Sequence, residues 1–362
     1  MTRPIAELDL PKLAGVIKRW GRELGFQQIG ITDTNLGEHE GYLLNWLAAG
    51  YHGEMDYMAR HGMRRSRPAE LLPGTLRVIT ARMDYLPPAA AIPETVLQDS
   101  ELAYVSRYAL GRDYHKVLRQ RLHQLAKRIE AVSGPCGHRV FTDSAPVLEK
   151  ALAQKAGLGW IGKHSNLLNR TAGSWFFLGE LYTALPLPTD KTATAHCGSC
   201  TACLDICPTQ AIVAPYRVDA RRCLSYHTIE LHGPIPEVFR RPMGNRIYGC
   251  DDCQLVCPWN RFARPTPETD FLPRNGLDAA KLTTLFAWDE EEFLRRTEGT
   301  PIRRIGHARW LRNIAVALGN APHLPAVVTA LQSRAAHSSA LVREHVAWAL
   351  AEQAEKRGNG IS

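Results

Sequence analysis

The sequence predicts an α+β multidomain protein in three parts: an α/β domain over residues 1–185, a loop-rich segment over 186–275 and a helical segment over 276–362. Three observations carry that division. Helix-like and strand-like periodicities mix through the first half. Eight of the nine cysteines fall between Cys197 and Cys257. Beyond residue 276 the pattern is helical only, with an internal similarity at a spacing of 32 residues. The 362 residues suit two or three domains of ~150 residues each. A composition 45% hydrophobic and 22% charged excludes a mainly disordered chain.

In the first part, Leu13, Val16, Ile17, Trp20 and Leu24 recur at helical spacing, and Gly25 then leads into an extended Phe26–Ile31. A second apolar run, Leu76–Thr80, follows the Pro73-Gly74 turn. Tyr114, Val117, Leu118, Arg121, Leu122, Leu125 and Ile129 mark an amphipathic helix, and Val140–Thr142 reads as a strand after Gly134-Pro135. Prolines and cysteines break the pattern from Pro186 to Pro273, so this stretch needs an inorganic staple to hold a core. In the last part Asn313–Gly319 aligns with His345–Ala351. Two copies are fewer than a free-standing solenoid needs, so these helices are expected to lean on what precedes them.

No window reaches the ~18 apolar residues of a membrane span. Asp9, Lys12 and Lys18 interrupt the stretch where a signal peptide needs an apolar core. The expected setting is the cytoplasm, with no membrane partner. Thiols stay reduced there, which points the cysteines to metal ligation rather than disulfides. Cys197-Gly-Ser-Cys200-Thr-Ala-Cys203-Leu-Asp-Ile-Cys207-Pro208 matches the C-x2-C-x2-C-x3-C-P run of bacterial ferredoxins at every fixed position. Cys250-Asp-Asp-Cys253-Gln-Leu-Val-Cys257-Pro258 repeats its end, with Cys223 as the missing first ligand. By the exchange rule of two-cluster proteins, one [4Fe–4S] cluster takes Cys197, Cys200, Cys203 and Cys257. The other takes Cys223, Cys250, Cys253 and Cys207. Structural zinc, which favours well-separated pairs of C-x2-C knuckles, is the weaker reading. Cys136 is left over as a plain buried or surface thiol.

Other motifs stay ambiguous. Gly157-Leu-Gly159-Trp-Ile-Gly162 has dinucleotide-loop spacing, yet Val147–Ala156 before it looks helical, where that motif requires a strand. Its glycines leave room for a large ligand to approach the backbone, beside the polar Lys163–Asn166 stretch. Asp113-Tyr-His115 starts like the D-x-H-x-x-G signature of one cobalamin-binding family, but position 118 is Leu, and Asp113 also suits a helix cap. Asp143, between a short strand and a helix, suits either a general acid or a cap.

Taken together, Gly53–Arg60, Leu72-Pro73-Gly74, Ser106–His115, Asp143-Ser-Ala-Pro-Val-Leu-Glu149, Gly157–Lys163, Gly173–Glu180, both cysteine sets, Cys223–Glu230 and Gly249–Gln254 resemble the epoxyqueuosine reductases in this order over essentially the whole chain. The resemblance implies a cobalamin-binding α/β domain, a ferredoxin-like two-cluster module and C-terminal HEAT-like repeats. It implies reduction of epoxyqueuosine to queuosine in the tRNA anticodon loop by cobalamin (cob(II)alamin before reduction), with electrons passed through the clusters from an external donor. It assigns proton donation to Asp143 and corrin contacts to Arg65, Ser106, Asp143, Lys163, Ser165 and Ser225. Burial beside the corrin is expected to raise the Asp143 pKa, so that the carboxyl holds its proton.

Residues 301–362 carry eight Lys/Arg against three Glu, or +5 of the net +8. Such an excess suits either a solvated helical face or a polyanion. With the resemblance it becomes a tRNA-binding surface at Arg303, Arg304, Arg309, Arg312 and Arg343. A monomer is expected. Two rival functions stand beside this one. A cobalamin and iron–sulfur reductase of a small molecule, as in dehalogenases, explains the clusters without the basic tail; a ferredoxin-type electron carrier leaves most of the chain without a role.

Overall fold

The computed structural model describes residues 8–88 and 90–358. Helix α1 (Leu10–Glu23) opens on Asp9, whose carboxylate accepts from the Lys12 N–H at 3.0 Å, and Gly25, at φ +89°, ends it. It buries Leu13, Ala14 and Ile17 against the strand that follows, β1 (Gln28–Thr32). Gly21 is required here, since a Cβ would sit 2.3 Å from Ile29 Cγ1. Next come β2 (Arg77–Asp84), α2 (Tyr114–Ser133), β3 (Arg139–Phe141), α3 (Glu149–Lys155) and β4 (Phe176–Thr183). Asp113 caps α2 by accepting from the His115 N–H at 3.1 Å, so the capping reading holds.

The four strands form one sheet in the order β1-β2-β4-β3, and every pairing is antiparallel. This corrects the α/β expectation: sheet and helices mix, but no parallel crossover joins these strands, and the layer is an antiparallel sheet covered on both faces. Strand β4 sits inside it and is buried along its whole length. Gly179 faces α2, where a Cβ would come within 2.8 Å of Leu122 Cδ1. Leu178 and Tyr182 face the other way, among residues of α3 and its flanks, and strand alternation puts Glu180 between them on that face.

In the cysteine-rich segment, two short helices, Ala202–Asp205 and Asp252–Leu255, pack against each other, each beginning inside a Cys-x-x-Cys step. A short strand there, Arg246–Tyr248, pairs in parallel with Tyr104–Val105. The Asp251 carboxylate reinforces the junction by accepting from Ser106 Oγ (2.6 Å), Tyr104 OH (2.8 Å) and the Arg107 N–H (2.8 Å).

The chain closes with α4 (Gly306–Asn320), α5 (Pro325–Gln332) and α6 (Ala340–Gly358). The two similar segments lie in α4 and α6, which pack so closely that a Cβ on Gly319 would stand 3.0 Å from Ala349 Cα. Their core is shared with Ala103–Leu110 and Ile247-Tyr248, so these helices do lean on the preceding chain. No helix among the described residues is long and apolar enough to cross a membrane.

Candidate active site

A cavity of about 550 Å³ opens where the sheet domain, the cysteine segment and the start of the last helices meet, a size that suits cofactors and substrates. Its wall takes Tyr108, Tyr114, Asp143, Glu149 and Phe177 from the first part, and Arg304 from the turn before α4. Four thiols line it: Cys207, Cys223, Cys250 and Cys253. These are the four that the exchange rule groups together. The other set stands apart: burial and the facing thiolates of Cys257, Cys197 and Cys200 push the Cys203 thiol up to about 11. Cys253 is raised by burial and by Cys223, Asp251, Cys203 and Cys207, which places the two sets side by side. Cys200, of the outer set, is exposed. Thiols crowded in two fours, with the Ala211 N–H aimed at Cys207 Sγ (3.2 Å), suit two adjacent cubane clusters. Cys136 is buried away from both.

Asp143 has a strained backbone, with φ +43° in a non-glycine residue. Its carboxylate accepts from the Tyr114 hydroxyl and lies 3.4 Å from His115 Nε2, while His115 Nδ1 is 2.7 Å from Asp113 Oδ1. Asp113, His115 and Asp143 therefore form a continuous line. Protein surrounds Asp143, yet 44% of its side chain stays open to the cavity. The expected rise in its pKa is not what the structure gives. Burial pushes it up, but the hydrogen bonds from His115 and Tyr114 and the charges of His115 and Arg304 outweigh that and hold it down to about 2. The protons sit on its neighbours instead. Burial would lower His115, but Asp113 and Asp143 raise it to about 9. Burial and the Asp143 charge raise Glu149 to about 8.

The cavity can also hold a large ring. His164 accepts the Asn166 N–H at Nδ1 (3.1 Å), so its other nitrogen, Nε2, carries the hydrogen. That Nε2–H is buried without a partner in the cavity wall, and burial and Lys150 hold the imidazole down to about 4, hence neutral. With Ser165, Ser225 and several aromatic faces, this donor set fits an apolar macrocycle edged by amides, as a corrin is.

The expected corrin contacts divide. Ser165 and Ser225 line the cavity; Ser106 does too, but its hydroxyl is spent on Asp251. Arg65 is buried beside Asp143 and donates to Tyr57 O at 2.7 Å. Lys163 is a correction: it lies outside the wall, its ammonium donating to Gly198 O (2.7 Å) and Cys200 O (2.9 Å), so it braces the outer cysteine loop. The glycines before it are a second correction. A Cβ on Gly159 would lie 2.1 Å from Leu168 O, so they admit the chain's own hairpin rather than a ligand.

The basic surface divides as well. Arg303 and Arg343 are exposed. Arg304 reaches the cavity, and Arg309 is half-buried, donating to Ile305 O (2.7 Å) and Ile229 O (3.1 Å). Arg312 is a correction: it is fully buried and holds carbonyls of the 227–233 segment, out of reach of any phosphate. Sequence reasoning alone does not single out Tyr114, His115, Glu149 or His164 as site residues; the Asp-Tyr-His triplet reads there only as an incomplete cobalamin signature.

A family model described as "Epoxyqueuosine reductase QueG, DUF1730" matches residues 65–144, and one for a "4Fe-4S double cluster binding domain" matches residues 196–260. The chain is 65% identical to the epoxyqueuosine reductase of Pseudomonas aeruginosa over 96% of each chain. It is 63% identical to that of Escherichia coli, covering 97% of this chain and 92% of the relative. A crystal structure of an epoxyqueuosine reductase with an epoxyqueuosine-modified tRNA-Tyr stem loop superposes with a TM-score of 0.87 at 26% identity, over 97% of this chain and 94% of the other.

Proposed function

The chain belongs to the epoxyqueuosine reductase family, and on that premise we propose that it reduces epoxyqueuosine to queuosine in the tRNA anticodon loop. One observation carries the reading: the thiols of one cluster set and the Asp143 carboxylate line the same cavity. An electron source and a proton outlet thus meet at one place. Cys197, Cys200, Cys203 and Cys257 hold the outer cluster, where exposed Cys200 lets an external donor approach. Cys223, Cys250, Cys253 and Cys207 hold the inner one. Cobalamin, when bound in the cavity, supplies the two-electron chemistry at the epoxide.

The residues do the rest. Ser165, Ser225 and the His164 N–H edge the ring, and the aromatic wall excludes water. Asp143, fixed by Tyr114 and His115, presents one carboxylate oxygen to the epoxide oxygen and delivers protons to it. Arg304 at the cavity holds charge near Asp143. The C-terminal helices, read as HEAT-like repeats, bring Arg303 and Arg343 to the anticodon-arm phosphates. Iron, cobalt and tRNA affinity measured anaerobically on one sample test this. About eight iron and one cobalt per chain, with tRNA binding, is the expected result. Cobalt without tRNA affinity favours a small-molecule reductase, and iron alone an electron carrier.

A further inference from the structure

Reducing an epoxide to an alkene takes two electrons and two protons: both C–O bonds break, a C=C bond forms, and the oxygen leaves as water. The clusters account for the electrons. Asp143, ionised in the resting site, cannot by itself account for both protons. It stands between two groups that hold one each, and the His115 imidazolium, already described, is one of them.

The other side is a group of carboxyls that the proposed chemistry does not yet use. Glu149 lines the cavity at the far end of the loop that begins at Asp143, and the Asp143 backbone N–H faces its carboxyl. Beneath it, on the α3 face of the sheet, lies Glu180. This side chain is fully buried, and neither of its oxygens has a hydrogen-bond partner among the described residues. The residue paired with it on β2, Thr80, is also fully buried, and its hydroxyl is also without a partner. Three carboxyls gathered this closely, one of them fully buried, do not all ionise together, because each charge raises the cost of the next. His115, Arg304 and Arg65 act on Asp143, which carries the charge, while the opposing pull of Lys150 and His115 on Glu149 is outweighed by burial and the Asp143 charge. Lys150, next to Glu149, turns its ammonium to Ser165 O at 3.0 Å. The groups facing Glu149 are thus Asp143, His115, Lys150, Tyr114 and Glu180.

We propose that Glu149 is a proton store for the reaction, a positioning residue that holds a proton in the resting enzyme and passes it to Asp143. Asp143 is then the outlet, fed by Glu149 on one side and His115 on the other, which matches the demand for two protons. The inference rests on the function proposed above, but the location of the proton can be read without substrate.

The test uses the full chain with its clusters, in wild-type form and as Glu149→Gln. Infrared difference spectra across a pH titration report the C=O stretch of a protonated carboxyl. The expected result is a band that disappears as pH rises through about 8 and is missing in Glu149→Gln. Turnover of epoxyqueuosine tRNA should fall about 100-fold in Glu149→Gln at unchanged iron and cobalt content, and the wild-type rate should decline above the same pH. A wild-type rate in Glu149→Gln, or no titrating band assignable to Glu149, overturns the proposal. Should the wild-type protein leave the epoxide untouched, the function reading fails instead, and the infrared titration still decides where the proton sits.

Discussion

Replacing Arg312 with Ala separates a scaffold role from a tRNA-binding role within the basic C-terminal helices. The buried guanidinium donates to Leu231 O at 2.8 Å, Gly233 O at 2.7 Å and His227 O at 2.7 Å, and its Nε to Asn313 Oδ1 at 3.0 Å. A hydrogen bond to a charged group contributes about 1.5–3 kcal/mol, and a buried carbonyl left without a donor costs about 1–3 kcal/mol. Three orphaned carbonyls would then cost about 3–9 kcal/mol if the 227–233 segment stayed rigid. Partial turning of that segment toward solvent brings the expectation to about 4 kcal/mol, at the upper end for one substitution. The segment carries Ile229 and Glu230 of the cavity wall, so activity should fall with stability. Anaerobic urea unfolding of the cluster-loaded protein measures the effect, with the exposed Arg303→Ala as control, expected within about 0.5 kcal/mol of wild type. An Arg312→Ala protein that unfolds like wild type while losing tRNA affinity would refute the structural assignment.

Charge reversal at Arg303 and Arg343 should instead weaken tRNA binding and reduce the slope of log affinity against log salt by about one for each phosphate no longer neutralised; an unchanged slope removes both from the interface. Asp143→Asn should keep both clusters, by iron content and spectrum, and abolish turnover. His115 has a raised folded pKa, so its contribution to stability is complete below its unfolded value near ~6.5 and is lost as pH rises through about 9. Urea midpoints followed across that window should decline more steeply in the wild type than in His115→Gln, where the raised Glu149 leaves a decline only up to about 8. Cys253→Ser should remove the cavity-side cluster and halve the iron, stopping turnover with the outer cluster's signal retained.

The sequence reveals those features whose physics is local. Leu13 to Leu24 and Tyr114 to Ile129 show one apolar stripe each, because one helix face meets the core and the other meets water. The cysteine runs are legible because cluster geometry fixes their spacing. Phe176–Thr183 shows no such alternation: β4 is buried on both faces, so its pattern carries no period. The antiparallel order of the sheet depends on long-range pairing that no local pattern encodes. Arg312 looks like any surface arginine, since its burial comes from a loop some 80 residues earlier in the chain. In the same way, the low pKa of Asp143 reflects His115 and Tyr114 reaching it across the fold, where the sequence shows only a buried carboxyl.

The central claim is that this cavity removes the epoxide oxygen of a tRNA-borne nucleoside with electrons from the clusters. Nucleoside mass spectrometry of epoxyqueuosine-containing tRNA, incubated anaerobically with the fully loaded protein and a low-potential reductant, tests it most directly. Conversion to a nucleoside lighter by one oxygen atom is the predicted result. An unchanged epoxide, in a sample whose iron and cobalt content is complete and whose tRNA is bound, would contradict it.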